Sequence, residues 1–416
     1  MRTYDENSTN SQWITGPMHA PEVPDFPVIP VITGDGIGVD ITPAMIAVVD
    51  AAVNKAYGSS KGIVWWQVEA GQSAYTKVGS YLPEATLNAI RKARVAIKGP
   101  LTTPVGEGFR SVNVQLRQTL ELFACIRPVK WYEGVPSPVC RAEDLNVVIF
   151  RENMEDLYLG VEFVAGSPEA HQIIEVANRL SNTKLPMEAG VGIKPITREA
   201  TNRITRSAIE YAIKHKLPSV TIVHKGNIMK FTEGAFRNWA VELLTREYRE
   251  HVITEAELTA MGESDAAGRI VIRDRIADAM FQEILLRPKD HSVILTSNLN
   301  GDYLSDAAAA QVGGLGIAPG ANIGEQYALF EATHGTAPKR AGLDMANPSS
   351  LILSARMMLE TMGWNKAADL IEYGVARSVA EGMVTYDLAE RIPGAKVLKA
   401  SEYALAIVDN MLAKQQ

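Results

Sequence analysis

Asp302 and Asp306 stand four residues apart in NLNGDYLSDAAAAQVGGLGIAPGAN, residues 298–322. On a helix that spacing puts both carboxylates on one face. Two hard oxygen donors held this way make half a site for a divalent cation that keeps some waters and takes its other ligands from a substrate. Near a helix start the same pair would also serve to complement the macrodipole. Asp278 falls in the apolar run IADAM, where an unpaired carboxylate is costly, so a bound cation or a salt bridge is its expected company. Arg110, Arg117, Arg127 and Arg151 follow one another at the ends of apolar or amphipathic runs. A guanidinium is a planar fork that matches a carboxylate and keeps its charge, so the set implies an anionic substrate with more than one carboxylate. Ser111 and Asn113 alternate with Val112 and Val114 and would either hydrogen-bond that substrate or cap a helix. Tyr158 reads as a proton donor or as an amphipathic core residue. Lys225, in HKGN, follows an apolar strand-like run, the place where alternating α/β chains put functional groups.

The elements that must carry these groups are legible in part. FPVIPVIT followed by GDGIGVDITPAMIAVVDAAV reads as a buried strand, a glycine loop and a helix with Pro43 in its first turn. Gly34, Gly36 and Gly38 have G-x-G-x-G spacing with no acidic residue closing a second strand, which favours a tight strand-to-helix turn over a Rossmann dinucleotide site. ATLNAIRKARVAIKGP gives a helix and a short strand whose C-terminal end carries Lys98, Thr102 and Thr103. FRSVNVQLRQTLELFACIRPVKWY reads as helix then strand, residues 196–216 as an amphipathic helix, and residues 219–248 as strand, loop and helix. IVIRDRIADAMFQEILLRP reads as one helix projecting Asp274, Asp278 and Arg287. Between Glu162 and Lys194 the periodicity weakens to short segments and turn residues, an excursion from the main fold. Residues 329–350 read as a long loop, of the kind that is commonly functional, and two helices follow.

With 416 residues and 46% hydrophobic content the chain buries a large core, enough for about two to three domains. A formal net charge of −7 gives no overall basic footprint for nucleic acid. No apolar run reaches bilayer-spanning length, and MRTYDENSTNSQWITGP lacks the basic-then-apolar order of a leader, so a cytoplasmic enzyme is expected, with the first 25 or so residues a loosely held arm. Cys125 and Cys140 read as core thiols, because neither has the Cys/His spacing of a zinc site.

The combination of GDGIG, IKGPLTTP, RSVNVQLRQ, RENMEDLY, HKGNIMKFTEGAF, NLNGDYLSDAAAAQVGGLGIAPGAN and EATHGTAPK closely resembles the bacterial isocitrate dehydrogenases, members of the β-decarboxylating dehydrogenases with the isopropylmalate, homoisocitrate and tartrate enzymes. The match runs through nearly the whole chain from about Pro27. It implies an α/β, two-domain fold without a Rossmann fingerprint. A discontinuous large domain would take residues 1–122 and 313–416, and a small domain 123–312, with a dimerisation clasp at about 156–197. It implies oxidative decarboxylation of isocitrate to 2-oxoglutarate and CO2 with reduction of NADP, in a homodimer with shared active sites.

The same resemblance assigns roles. Ser111, Asn113, Arg117, Arg127 and Arg151 would bind the substrate carboxylates. Asp302 and Asp306, with Asp278 of the partner subunit, would hold Mg2+ or Mn2+, and Tyr158 with the partner's Lys225 would be the acid/base groups. Thr102, Thr103, His334, Gly335, Asn347 and Arg287 would contact the cofactor, as would Lys339, Arg340, Tyr386 and Arg391. Lys339 and Tyr386 match the pattern of NADP users. Arg340 replaces a tyrosine, and Glu390 stands where an arginine would align, with Arg391 one place on. Neither 339 nor 340 is acidic, as an NAD site would require. Three alternatives stand beside this reading, one of them a non-catalytic regulatory subunit of the same family, against which the retained Lys225, Tyr158 and three aspartates argue. An isopropylmalate- or homoisocitrate-type enzyme of the same family would differ in its pocket, and a magnesium-dependent phosphoryl transferase would need a phosphate cradle, whereas no G-x-x-x-x-G-K-[ST] is present.

Overall fold

The computed structural model of the chain describes residues 2–5, 12–102, 111–262 and 266–414. Two compact units divide it, one of Met1–Phe150, Phe281–Ile294 and Leu304–Gln416, the other of Arg151–Met280 and Leu295–Tyr303.

The first unit begins with β1 (Arg2–Thr3), β2 (Val28–Ile32), β3 (Val64–Val68) and β4 (Val95–Lys98), hydrogen-bonded in the parallel order β1-β3-β2-β4. β2 and β4 are buried at every residue, as strands covered on both faces must be. The N-terminal arm is held more firmly than expected, since β1 pairs with β3 and Ile14 and Met18 are buried. Helix α1 (Gly38–Tyr57) follows the glycine loop, with Pro43 one turn later than expected. α2 (Gln72–Val78), α3 (Glu84–Ala93) and α4 (Val112–Thr119) lead to β5 (Ala124–Lys130) and β6 (Asn146–Glu152). Of the two cysteines Cys125 is buried on β5, but Cys140 is exposed and is not a core thiol.

In the second unit, β7 (Glu162–Phe163) and β8 (Val191–Gly192) pair antiparallel and bracket α5 (Pro168–Leu180). This 13-residue helix is absent from the sequence reading because only Ala170 and Ile174 are buried, too narrow a stripe to register as a period. Its start was nevertheless signalled. Ser167 caps the Ala170 amide and Pro168 occupies the first helical position. α6 (Arg198–Lys214), β9 (Ser219–His224), α7 (Glu233–Glu247), β10 (Val252–Thr254), α8 (Glu255–Ala260) and β11 (Ile270–Ile276) follow, and α9 (Ala277–Leu286) begins in this unit, which the chain leaves after Met280.

The segment expected as one helix is therefore a strand and then a helix. β11 lies between β9 and β10, parallel to both. Its polar residues obey period two. Arg273 and Arg275 both bond Glu255, at 2.8 and 2.7 Å, while Asp274 on the other face bonds His224 at 2.6 Å.

The chain returns through β12 (Val293–Thr296) and α10 (Asn298–Gln311), then β13 (Pro319–Ile323) and β14 (Ala328–Ala332). β14 is antiparallel to β13 and parallel to β4, and β13 is antiparallel to β5. The expected loop from residue 329 therefore starts only after Ala332. α11 (Ser349–Thr361), α12 (Asn365–Ala380), α13 (Tyr386–Ala389) and α14 (Ala400–Ala413) follow. α11, α12 and α14 join α1 in one large apolar cluster with β2 and β4, from Val31 and Ile97 to Ile352, Ile371 and Ile407. Among the described residues no helix is long and apolar enough to cross a membrane.

Candidate active site

Three expected site residues converge in the second unit. Arg151 is the penultimate residue of β6, Tyr158 sits in the short 3-10 turn Leu157–Leu159, and Asp302 lies in the second turn of α10. The Tyr158 hydroxyl donates to Asp302 Oδ2 at 2.6 Å. Arg151 pairs with the other oxygen of Asp302 and donates from Nε to Asn298 Oδ1 at 2.9 Å. Its guanidinium lies 4.7 Å from the centre of the Tyr158 ring. Gly301 makes the approach possible, because a Cβ there would meet Arg151 Cγ at 2.7 Å. Burial and the Asp302 carboxylate push the Tyr158 phenol up, so the ring stays a proton donor at neutral pH.

Lys225 follows the last residue of β9, and its ammonium pairs with Asp278 in the first turn of α9. That hydrogen bond holds the Asp278 carboxyl below its ordinary range. Of the two companions expected for this aspartate, the single chain supplies the salt bridge. The side chain is 70% exposed, so its apolar neighbours Ala277 and Met280, which are buried, do not enclose it.

The first unit holds the other carboxylate-binding candidates. Arg127 Nη1 bonds Ser305 Oγ at 2.7 Å and Asp306 Oδ1 at 2.9 Å. Arg117 and Lys98 both pair with Glu331, at 2.8 and 2.7 Å, and Asn322 Nδ2 donates to the same carboxylate at 2.7 Å. Burial alone would raise the Glu331 carboxyl, but Lys98 and Arg117 outweigh it and hold the group well below the usual carboxylate range. One carboxylate thus fixes two cations. Glu331 is the residue sequence reasoning missed. Its signal was a lone acid in the apolar strand ALFEA. Ser111 occupies the N-cap position of α4 without a side-chain capping bond, and Asn113 Oδ1 is buried with no partner among the described residues. Arg110 and Thr103 lie outside the described residues.

A cavity of about 280 Å3 in the first unit is lined by His334, Gly335, Arg340, Asn347, Tyr386 and Asp387, with Ile37, Gly316, Ala337 and Ala346. Five of the expected cofactor residues are therefore together. The Arg340 guanidinium lies 4.5 Å from the centre of the Tyr386 ring. His334 Nδ1 faces Gly335 O at 3.0 Å, its Nε2 is buried with no partner among the described residues, and burial lowers its pKa, so the ring is neutral. An orphaned ring nitrogen in a cavity with a cation stacked on an aromatic fits a phosphorylated, base-bearing cofactor. Lys339, Arg391 and Thr102 do not line the cavity, and Arg287 is tied to Glu283 and Asp290.

The GDGIG turn braces this region. Ile37 N donates to Thr336 O at 2.9 Å and Asp35 N to Pro100 O at 2.7 Å, while the Asp35 carboxylate accepts from Thr102 N at 2.8 Å and Gln72 N at 2.9 Å. A Cβ on Gly36 would meet Thr336 O at 2.0 Å, and its φ is +57°, so only glycine serves there.

Asp302 and Asp306 occupy successive turns of α10, each balanced by an arginine, Arg151 and Arg127. Among the described residues no three His, Cys, Asp or Glu side chains gather as a complete metal site. Two hard carboxylates one turn apart still suit a cation that draws its other ligands from substrate, water and a further acid.

The family model for isocitrate/isopropylmalate dehydrogenase matches residues 28–407. Proteins called isocitrate dehydrogenase [NADP] from Helicobacter pylori and Pseudomonas aeruginosa are each 53% identical, over 402 and 395 residues, with 94% of this chain and 94% of each relative covered. The one from Staphylococcus epidermidis is 50% identical over 407 residues, covering 94% of this chain and 96% of its own. The solved isocitrate dehydrogenase of Methylococcus capsulatus superposes with a TM-score of 0.77 at 38% identity, covering 92% of this chain and 99% of that one. By its sequence along almost its whole length and by its mixed α/β fold, the chain belongs to the isocitrate/isopropylmalate dehydrogenase family.

Proposed function

We propose that this chain is an NADP-dependent isocitrate dehydrogenase, oxidising isocitrate and releasing 2-oxoglutarate and CO2. The observation that carries the reaction type is the convergence of Arg151, Tyr158 and Asp302, a carboxylate clamp, a phenol that keeps its proton and a metal-type oxygen donor. The substrate class and cofactor follow the relatives' names at about half identity. Ser111 and Asn113 Oδ1, which has no partner among the described residues, suit a polar substituent, which favours isocitrate over the isopropyl group of isopropylmalate.

NADP would take up the hydride, and Mg2+ or Mn2+, held by Asp302, Asp306 and Asp278 of the partner subunit, would supply Lewis acidity to the substrate hydroxyl and to the charge left by CO2 loss. The protein's own groups do the rest. Arg117, Arg127 and Arg151 fix the carboxylates by forked hydrogen bonds. The protonated Tyr158 hydroxyl returns a proton to the carbon that lost CO2, and the partner's Lys225 assists proton movement at the hydroxyl. His334, Gly335, Arg340, Asn347 and Tyr386 hold the adenine and 2′-phosphate end of the cofactor, with Lys339, Arg391, Thr102, Thr103 and Arg287 as further contacts. The functional assembly is a cytoplasmic homodimer joined through a clasp at about 156–197, with a large domain of 1–122 and 313–416 and a small domain of 123–312.

Absorbance of NADPH formed from isocitrate, with Mn2+ and with excess chelator, tests the reading. Turnover is expected with isocitrate but not isopropylmalate, is lost in chelator, and has a specificity constant at least about tenfold higher with NADP than with NAD, about 1.4 kcal/mol. Full activity in chelator rejects the metal assignment. Equal use of NAD rejects the cofactor assignment alone.

A further inference from the structure

Lys194, two residues past β8, enters a buried cluster that no role above uses. Its ammonium bridges Asp156 and Glu233, both 0% exposed, pairing with the first and lying 2.9 Å from Glu233 Oε1. Each carboxylate also grips a catalytic segment. Asp156, held at φ +71°, accepts from Leu157 N at 2.7 Å, at the start of the turn that carries Tyr158, and from Leu299 N at 2.9 Å, at the start of the helix that carries Asp302. Glu233 accepts from Lys225 N at 2.9 Å, and from Ser297 Oγ at 2.8 Å and Asn300 Nδ2 at 2.7 Å on the approach to Asp302. Asp156 N in turn donates to Pro195 O at 3.1 Å.

A strained backbone at an acid residue persists only when its surroundings over-determine it, and here they do. Two buried carboxylates face a single ammonium. The remaining charge is met by amide donors, so the geometry of each donor segment is fixed by the cluster. We infer that Lys194, with Asp156 and Glu233, is a positioning residue for Tyr158, Lys225 and Asp302 together, so that catalysis depends on the β7–α5–β8 excursion being docked through its lysine. The inference rests on the proposed roles of those three residues.

The test uses the full-length protein with isocitrate, NADP and Mn2+. Lys194→Met, which leaves both carboxylates facing each other, should lower kcat on the order of 100-fold, the effect of misplacing groups by about 1 Å. KM for NADP should stay within about threefold, since the cofactor cavity includes none of the cluster. Glu233→Gln, which keeps the shape, should lower kcat about tenfold, and in the Lys194→Met background it should recover part of the loss by removing the surplus charge. Reference variants Tyr158→Phe and Lys225→Met separate the two readings. If these keep wild-type kcat, the catalytic assignment itself fails. If they lose kcat while Lys194→Met and Glu233→Gln melt at lower temperature but turn over normally, the cluster is structural only and the positioning role is overturned. Should Lys194→Met fail to fold, Glu233→Gln decides by the same criterion.

Discussion

At the scale of the residue, the role proposed for Ser111 separates stability from binding. Ser111 sits at the N-cap of α4 with no capping bond from its side chain, and aspartate is among the best N-cap residues. Ser111→Asp should therefore leave the melting temperature unchanged or raised, while like-charge repulsion raises KM for isocitrate at least about 100-fold. A near-normal KM would reduce Ser111 to a helix residue. Glu152 offers a second test. Burial pushes its carboxyl from 4.5 to about 7, only partly offset by amides of Glu155 and Met154 at 2.9 Å. Between those values the folded state keeps a proton that the unfolded chain has lost. This contribution to stability is therefore complete below about pH 4.5 and gone above about pH 7. Glu152→Gln, whatever its fixed cost, should gain on the order of 3 kcal/mol relative to wild type across that window in urea titrations. A pH-independent difference would place the proton elsewhere.

At the scale of the element, the C-terminal helix α14 has no basic residue in its last turn, and its carbonyls are capped from a distant segment. Lys55, at the end of α1, donates to Met411 O, Leu412 O and Lys414 O at 2.6, 2.7 and 2.8 Å. Lys55→Met removes those bonds and the charge complementing the helix dipole, and should cost about 1–2 kcal/mol in chemical denaturation with kcat intact. An unchanged midpoint would mean that water replaces the lysine at no cost. The same scale explains why one expected helix is a strand. IVIRDRI reads as helical because it runs without punctuation into a true helix, and the register that makes it a strand comes from partners 52 residues upstream in β9 and 18 residues upstream in β10.

At the scale of the whole molecule, the roles assigned to Lys225 and Asp278 place them in the partner's site, although within one chain they pair with each other. An inactive Lys225→Met chain and an inactive Asp302→Asn chain, mixed under subunit exchange, should regenerate up to about a quarter of wild-type activity, since half of randomly mixed dimers hold one intact site. No recovery in demonstrably mixed dimers would make each site the property of one chain.

What the sequence determined by itself is which side chains could do chemistry. Side-chain type and short spacing are local properties, so the Asp302/Asp306 pair, the arginines and the absence of a Rossmann fingerprint were legible without a fold, as were β2 and β4 from their apolar runs and α6 and α11 from their helical patterns. Partnership was not legible, because it depends on which distant segments meet. Only the tertiary structure decided that Tyr158 donates to Asp302 from 144 residues away, that Glu331 fixes both Lys98 and Arg117, and that GDGIG braces Thr102 and Thr336 through Asp35 and Ile37. Buried charges must find partners or pay heavily for desolvation, and long-range packing alone brings those partners to them.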